Sequence, residues 1–147
     1  MKLVLIVEDE YGNSEVLQLL LEAEGYRVVA ASNGKAALEL LQGEIPALIL
    51  SDFMMPVMNG AELGEAVRQN EALRHIPFVF MSATSEDVVQ RSFRNYDAFL
   101  IKPFNLDAML SLVERLIAEG RPADTGGEKA GESMRQLLKG FRVPPGA

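Results

Sequence analysis

The run Leu48-Ile49-Leu50-Ser51-Asp52 is a short, continuous apolar segment that ends in a charged residue. Apolar residues without alternation over so short a stretch are typical of a strand buried on both faces, as in a parallel sheet. Leu3 to Val7, directly before Glu8, repeats the pattern. The sequence therefore predicts at least two buried parallel strands with acidic residues where they end.

Strand and helix patterns alternate outward from this segment in both directions. A helical apolar spacing, such as Val16, Leu17, Leu20 and Leu21 before the stop at Gly25, follows each predicted strand. Five alternations predict an α/β fold with a five-stranded parallel sheet covered on both faces. The strands are expected at 3–7, 27–31, 47–51, 78–81 and 98–101, and the later helices at 35–42, 61–69, 86–94 and 106–118.

The composition narrows the classes of function. With no cysteine among 147 residues, the chain has neither disulfides nor thiolate chemistry, which fits a reducing cytoplasm. The net charge of −7 argues against direct binding to nucleic acid. Because the N-terminus has no secretory pattern and no apolar run has membrane-spanning length, we expect a cytoplasmic protein without membrane contact.

The composition changes after Glu119. Glycine and proline interrupt a polar stretch there, and the net charge changes from −9 over residues 1–119 to +2 over residues 120–147. We expect one domain at 1–119 and a flexible polar tail at 120–147. Within this tail, residues 132–141 have the pattern of a short amphipathic helix, with Met134, Leu137, Leu138 and Phe141 on one side.

Polar residues fall at the ends of four predicted strands. Singly, an acidic pair after a strand is more often a helix cap, and a Lys-Pro is more often a turn. In a parallel sheet, however, the carboxyl ends of the strands meet at one edge. Three acids gathered there favour Mg²⁺, beside which a carboxylate can attack phosphorus while an amine and a hydroxyl bind the phosphoryl oxygens. The residues concerned are Glu8, Asp9, Asp52, Ser82 and Lys102.

Four motifs together resemble those of bacterial response-regulator receiver domains, of the CheY-like superfamily. The similarity covers about residues 2 to 118, with the motifs in the family's order, and it implies a doubly wound, flavodoxin-like fold. The motifs are Val4-Leu5-Ile6-Val7-Glu8-Asp9-Glu10, Leu48 to Gly60 (LILSDFMMPVMNG), Met81-Ser82-Ala83 and Lys102-Pro103-Phe104.

The resemblance implies a role for each site residue. Asp52 would accept a phosphoryl group from a histidine kinase or a histidine phosphotransfer protein. Mg²⁺ would be bound by Asp9, Asp52 and the backbone carbonyl of Met54, with Glu8 acting mainly through water. Lys102 would pair with the phosphoryl oxygens, and its bond to Pro103 would be cis.

The resemblance also implies a switch. Ser82 would move toward the phosphate while the Phe99 ring turns inward, which would change the face formed by the fourth helix, the fifth strand and the fifth helix. That face would bind a downstream protein or a second copy of the chain. The chain would not be an enzyme acting on other molecules, since it would promote only its own phosphorylation and dephosphorylation.

Departures from the family pattern mark points to check. The fourth helix region is about two residues short, and Asn95-Tyr96 replaces the usual Gly-Ala, which places a large Tyr96 ring on the output face. Met54 and Thr84 occupy positions that resemble those tuning dephosphorylation. Met54 has no polar side chain to position a water, so a longer-lived phosphate is expected.

Two alternative functions remain open. A receiver fold can signal as an adaptor without phosphorylation. A phosphatase of the haloacid-dehalogenase kind also forms an aspartyl phosphate, but it needs Asp-x-Asp where this chain has Glu8-Asp9-Glu10. Two further features are expected to be structural only: His75 as a solvated loop residue, and Met54, Met55 and Met58 as packing residues.

Overall fold

The strands of the computed structural model, which describes residues 1–121, form one parallel sheet. Their order is β2-β1-β3-β4-β5, so the chain winds from β1 to one edge and then returns to build the other. This confirms the predicted doubly wound α/β fold. The strands are β1 (Leu3–Val7), β2 (Arg27–Ala31), β3 (Leu48–Asp52), β4 (Phe78–Ser82) and β5 (Ala98–Ile101).

Five helices connect and cover the strands. Asparagine side chains cap three of them: Asn33, Asn105 and Asn59, the last in a reciprocal capping box with Glu62. These caps satisfy backbone N–H groups that a helix start leaves without partners. The helices are α1 (Tyr11–Ala23), α2 (Gly34–Leu41), α3 (Gly60–Gln69), α4 (Glu86–Ser92) and α5 (Leu106–Glu119).

The sheet separates two apolar cores, because successive residues of a strand point to opposite faces. On one face, Leu5, Ile49 and Phe80 pack with buried residues of α2, α3 and α4. On the other, Ile6 and Leu50 pack with buried residues of α1 and α5. None of the described helices has the length and apolar character needed to cross a membrane.

Two predicted boundaries were wrong in an informative way. The third strand extends through Asp52, so this carboxylate is held by the sheet itself and not by the loop that follows. The fourth helix ends at Ser92, before the predicted end at 94, because Phe93 takes up an extended backbone and its ring is buried. The division at residue 119 stays a prediction, and the amphipathic segment 132–141 lies outside the described residues.

Gly60 fixes how the chain turns from β3 into α3. Its N–H donates to the Phe53 carbonyl oxygen at 2.8 Å, and a Cβ at this position would collide with the Asp52 carbonyl oxygen and the Phe80 ring. The backbone that carries Asp52 therefore approaches the start of α3 more closely than any side chain allows.

Gly60→Ala should lower the free energy of unfolding by about 2 kcal/mol or more, because backbone at Asp52 cannot yield as a flexible side chain would. Gly12→Ala is the matched control, since Gly12 also lies in a first helical turn but a Cβ there meets nothing within 4 Å. It should leave stability unchanged or raise it by less than about 1 kcal/mol. Urea denaturation measures both, and equal effects would contradict the close approach.

Candidate functional site

Three carboxylates meet at the carboxyl edge of the sheet. Glu8 and Asp9 directly follow β1, and Asp52 ends β3 beside it, so neighbouring strands bring them together. One carboxylate oxygen from each lies within 4.8 Å of the others. Glu8 and Asp52 are only 3% and 8% exposed, whereas Asp9 is exposed to solvent. The site is thus a cluster of acidic side chains that solvent reaches at Asp9.

Lys102 is the cation that holds the two buried carboxylates. It follows β5, and its Nζ donates to Glu8 Oε1 at 3.0 Å and to Asp52 Oδ2 at 3.1 Å. The Lys102–Pro103 peptide bond is cis, as expected. With Asp9 included, three carboxylates face one ammonium, so the cluster keeps an excess of negative charge.

The charges change the proton affinities of these groups. Burial, followed by hydrogen bonding to Glu8 and repulsion from its charge, raises the pKa of Asp52 to about 7 against the opposing effect of Lys102. Burial also acts to raise the pKa of Glu8, but hydrogen bonds to Asp52 and Lys102 outweigh it and lower that pKa. Within the pair, Glu8 is the stronger acid and Asp52 the group that gains a proton.

The donor set fits a hard divalent cation. Carboxylate oxygens are the ligands that Mg²⁺ prefers, and a dication would favour the ionised form of Asp52 against the burial and the repulsion from Glu8 that raise its pKa. Glu8 Oε2 is buried and has no hydrogen-bond partner in the part of the chain that the structure describes. Such an oxygen could accept a hydrogen bond from a metal-bound water. Asp9, which is exposed, and Asp52, which is buried, could bind the metal directly.

Ser82 lies at the same edge, at the end of β4. It is 1% exposed, and its Oγ accepts a hydrogen bond from the Thr84 N–H at 2.9 Å. Its backbone carbonyl accepts from the Lys102 N–H at 2.8 Å, which joins the ends of β4 and β5. The predicted residues Glu8, Asp9, Asp52, Ser82 and Lys102 thus all lie at this one edge.

The Phe99 and Tyr96 rings are both buried, at 2% and 8% exposure. The expectation that Tyr96 would present its ring on the output face was wrong. Its ring packs 5.3 Å from that of Phe80 and 6.2 Å from that of Phe99, and its hydroxyl hydrogen-bonds Glu86 on α4. Burial is possible because that hydroxyl also accepts from Gln90 Nε2, at 2.9 Å.

The loop after β3 gives mixed outcomes for the methionines. Met55 and Met58 are partly buried and pack against the core, as expected, but Met54 is 64% exposed and is not a packing residue. Val57 has φ of 68°, a left-handed conformation that is strained for a β-branched residue. His75 is exposed, as expected, in the loop before β4.

Sequence reasoning missed a second polar cluster, at the opposite, amino edge of the sheet. Asp97 precedes β5 and is 6% exposed, and its carboxylate pairs with Arg68 and Arg121. An Asp between Tyr96 and Ala98 has no motif around it, and its partners lie 29 and 24 positions away. The only usable signal was a charged residue directly before an apolar strand.

The chain belongs to the response regulator receiver domain family, whose model matches residues 4–114. It is thus a receiver domain of the two-component response regulators. A protein named Response regulator Rre1, from Synechocystis sp., is 36% identical over 144 residues, which are 95% of this chain and 62% of that protein. The chain therefore spans less than two thirds of the length of this relative.

Two solved structures share the fold. The signal receiver domain of a signal transduction histidine kinase from Syntrophus aciditrophicus superposes with a TM-score of 0.77 and 32% identity, covering 86% of this chain and 97% of that one. The response regulator TrrA from Thermotoga maritima, described as a complex with Mg(2+)-BeF, gives a TM-score of 0.71 and 29% identity, covering 79% of this chain and 99% of that one.

The raised pKa of Asp52 predicts a pH-dependent cost to stability. Because its pKa is about 7 in the folded chain and near the ordinary 3.8 when unfolded, its contribution to stability is complete below 3.8 and is lost as pH rises through 7. Without metal, Asp52→Asn should therefore raise the free energy of unfolding by on the order of 2 kcal/mol at about pH 8, and by less at about pH 5.

Urea denaturation at the two pH values measures this difference. Asp9→Asn is the control, because Asp9 belongs to the same cluster but is exposed. It should give a smaller gain than Asp52→Asn at about pH 8. A gain for Asp52→Asn that is the same at both pH values would show that Asp52 ionisation is not its cause.

Proposed function

We propose that Asp52 accepts a phosphoryl group from a histidine on a kinase or a phosphotransfer protein, with Mg²⁺, and that the chain signals by binding a partner. The observation that carries this proposal is the bridge of Lys102 Nζ between Glu8 and Asp52 within the three-carboxylate cluster. A purely structural ion pair would need only one acid for Lys102. This cluster has three acids, two more than Lys102 can neutralise.

Asp52 is held ready to act as a nucleophile. Its Oδ1 accepts from the Phe53 N–H at 2.9 Å and its Oδ2 from Lys102, so the carboxylate is fixed in orientation. In the transfer, an Asp52 oxygen bonds to phosphorus as the phosphorus–nitrogen bond of the phosphohistidine breaks, and the electron pair of that bond stays on the nitrogen. The imidazole leaves neutral, because the donor's other ring nitrogen already carries a proton. Lys102 then has a phosphoryl oxygen in reach, and Ser82 can donate its hydroxyl proton to another.

Mg²⁺ would neutralise charge on the carboxylates and on the phosphoryl oxygens. Asp9, Asp52 and the backbone carbonyl of Met54 would hold it, and Glu8 would bind it mainly through water. The description of TrrA as a complex with Mg(2+)-BeF supports the choice of cation, since that receiver has the same fold and is 29% identical to this chain. The residues are assigned from the carboxylate cluster and from the resemblance of the motifs.

The phosphodonor must come from another protein. His75 is the one histidine of the sequence, and it lies in the loop before β4, at the edge of the sheet opposite Asp52. Apolar side chains are exposed instead at the carboxyl edge of the sheet, at the first residues of α1 and α5 and in the loop after β3: Tyr11 at 77%, Leu106 at 41% and Met54 at 64%. We assign this rim to docking of the donor, because apolar exposure beside a charged cluster suits a protein surface.

The output is assigned to the face formed by α4, β5 and α5. A phosphoryl group that draws the Ser82 hydroxyl toward it changes the space beside Phe99, and the two rings of Tyr96 and Phe99 then decide the position of α4. The partner is a downstream protein or a second copy of the chain, bound without nucleic acid or membrane. The chain does not turn over external substrates, since its chemistry is confined to its own aspartate.

Asp52→Asn should abolish uptake of acid-labile phosphate from acetyl phosphate, because an amide cannot form the acyl phosphate. Removing Mg²⁺ with a chelator should reduce uptake by the unaltered chain to background. Asp107→Asn is the control, since Asp107 is an exposed acid in the first turn of α5 and should leave labelling unchanged. Labelling of Asp52→Asn at the unaltered level would sink the assignment.

Met54 predicts a long-lived phosphate, because an exposed thioether cannot orient a water toward phosphorus. Met54→Asn, which supplies an amide at this position, should speed loss of phosphate several-fold. Val57→Asn is a matched control, because Val57 lies in the same loop and is 76% exposed but is farther along the chain from Asp52 than Met54 is. Loss is followed after removing the donor, and an unchanged rate in Met54→Asn would show that another group limits hydrolysis.

A further inference from the structure

Arg121 closes a buried ion-pair cluster at the amino edge of the sheet. Its Nε lies 3.1 Å from Asp97 Oδ1, and its guanidinium also donates to the Asn95 side chain. The Arg121 and Asp97 side chains are only 11% and 4% exposed. A buried guanidinium is costly unless it has well-placed acceptors, and Asp97 and Asn95 provide them here.

Asp97 has partners besides Arg121. Asp97 Oδ2 accepts from the Phe78 N–H at 2.8 Å and from Arg68 Nη2 at 3.0 Å. Arg68 also donates to the backbone carbonyls of Asn95 and Ile76, each at 2.9 Å. Asp97 is thereby fixed to the start of β4 and to α3 independently of Arg121. The carboxylate that receives Arg121 is therefore preformed.

Gly120 sends the chain toward this acceptor. It ends α5 with φ of 72°, a left-handed conformation that favours glycine, and its N–H donates to the Leu116 carbonyl oxygen at 2.8 Å. After this turn, the Arg121 side chain lies at the amino edge of the sheet, against Asp97. The Gly120 turn and the Arg121 side chain thus connect the end of α5 to Asn95 and Asp97, before β5.

Arg121 contacts both neighbours of Tyr96. Asn95 and Asp97 flank this residue, whose ring packs against Phe99 and whose hydroxyl bonds Glu86 on α4. A change in the Phe99 ring would therefore pass to Tyr96 directly and, through one peptide unit, to the Asn95 side chain that binds Arg121. The Asp97 carboxylate would stay held by the Phe78 N–H and by Arg68. The contacts form a continuous path from the proposed switch to Arg121, directly after Gly120 at the end of α5.

We propose that Arg121 couples the switch to the chain that follows it, its ion pair being closed when the Phe99 ring is buried and weakened when the ring is not. The inference rests on the proposed function. The structure shows the closed pair together with a buried Phe99. Phosphorylation would stabilise this arrangement and hold Arg121 against Asp97.

Coupling of this kind is reciprocal, so the ion pair must affect binding at Asp52. Arg121→Gln removes the charge that keeps the pair closed and should weaken binding of beryllofluoride with Mg²⁺ by about three- to tenfold. Arg115→Gln is the matched control, because Arg115 is an exposed arginine of the same helix and should change affinity by less than about twofold. Titrations followed by backbone amide signals give both affinities.

A second measurement needs no variant. In the unaltered chain, the Nε–H of Arg121 should exchange more slowly with solvent once beryllofluoride and Mg²⁺ are bound, since closure protects it. The Phe78 N–H serves as the internal reference, because it donates to the Asp97 carboxylate, which the proposal leaves in place in either state. This readout stands even where Arg121→Gln fails to fold.

The outcomes separate the two proposals. Shifted amide signals at Ser82 and Phe99, with unchanged Arg121 exchange and unaltered affinity in Arg121→Gln, would overturn the coupling and leave the proposed function intact. No shift at Ser82 and Phe99 on adding beryllofluoride and Mg²⁺ would overturn both. The coupling is supported only if exchange at the Arg121 Nε–H becomes slower and Arg121→Gln also binds beryllofluoride more weakly.

Discussion

The contact of Lys102 with Glu8 and Asp52 is the interaction on which the site depends. Two buried carboxylates repel strongly, and an ammonium placed between them allows both to stay within reach of exposed Asp9. Only a sheet that brings several strand ends to one edge can assemble such a set, since Glu8, Asp52 and Lys102 are 44 and 50 positions apart in turn. The cluster therefore depends on the parallel topology, and the topology leaves it short of positive charge.

The sequence predicted the fold and this cluster because both follow from local patterns. Apolar runs such as Leu48 to Leu50 show no alternation when both faces are buried, and the charged residue that ends each run lies at the edge. The Asp97 cluster could not be predicted, because Arg68 and Arg121 become its partners only after α3 and α5 pack on opposite faces of the sheet. The direction of the Tyr96 ring depended in the same way on Glu86, a partner ten positions away.

Both edges of the sheet have a cluster of charged side chains, but acids outnumber bases at one edge and bases outnumber acids at the other. At the carboxyl edge, three acids surround one lysine, whereas at the amino edge two arginines surround Asp97. The first has an excess of negative charge that a cation can relieve, while the second is satisfied by hydrogen bonds and has no such demand. Strand β5 connects them, since Asp97 directly precedes it and Lys102 directly follows it.

Phe99 lies in the middle of this strand, and its chemistry explains why Tyr96 matters. A phenylalanine ring has no polar atom, so its burial leaves no hydrogen bond unmade and its position gives α4 no polar attachment. Tyr96 provides that attachment instead, through its hydroxyl and Glu86. In the proposed switch, Phe99 would respond to space beside Ser82, and Tyr96 would transmit the response to α4 through Glu86 and to Arg121 through Asn95. Because the apolar and polar roles are divided between two rings, one change at the acidic edge would affect both α4, through Glu86, and Arg121, through Asn95.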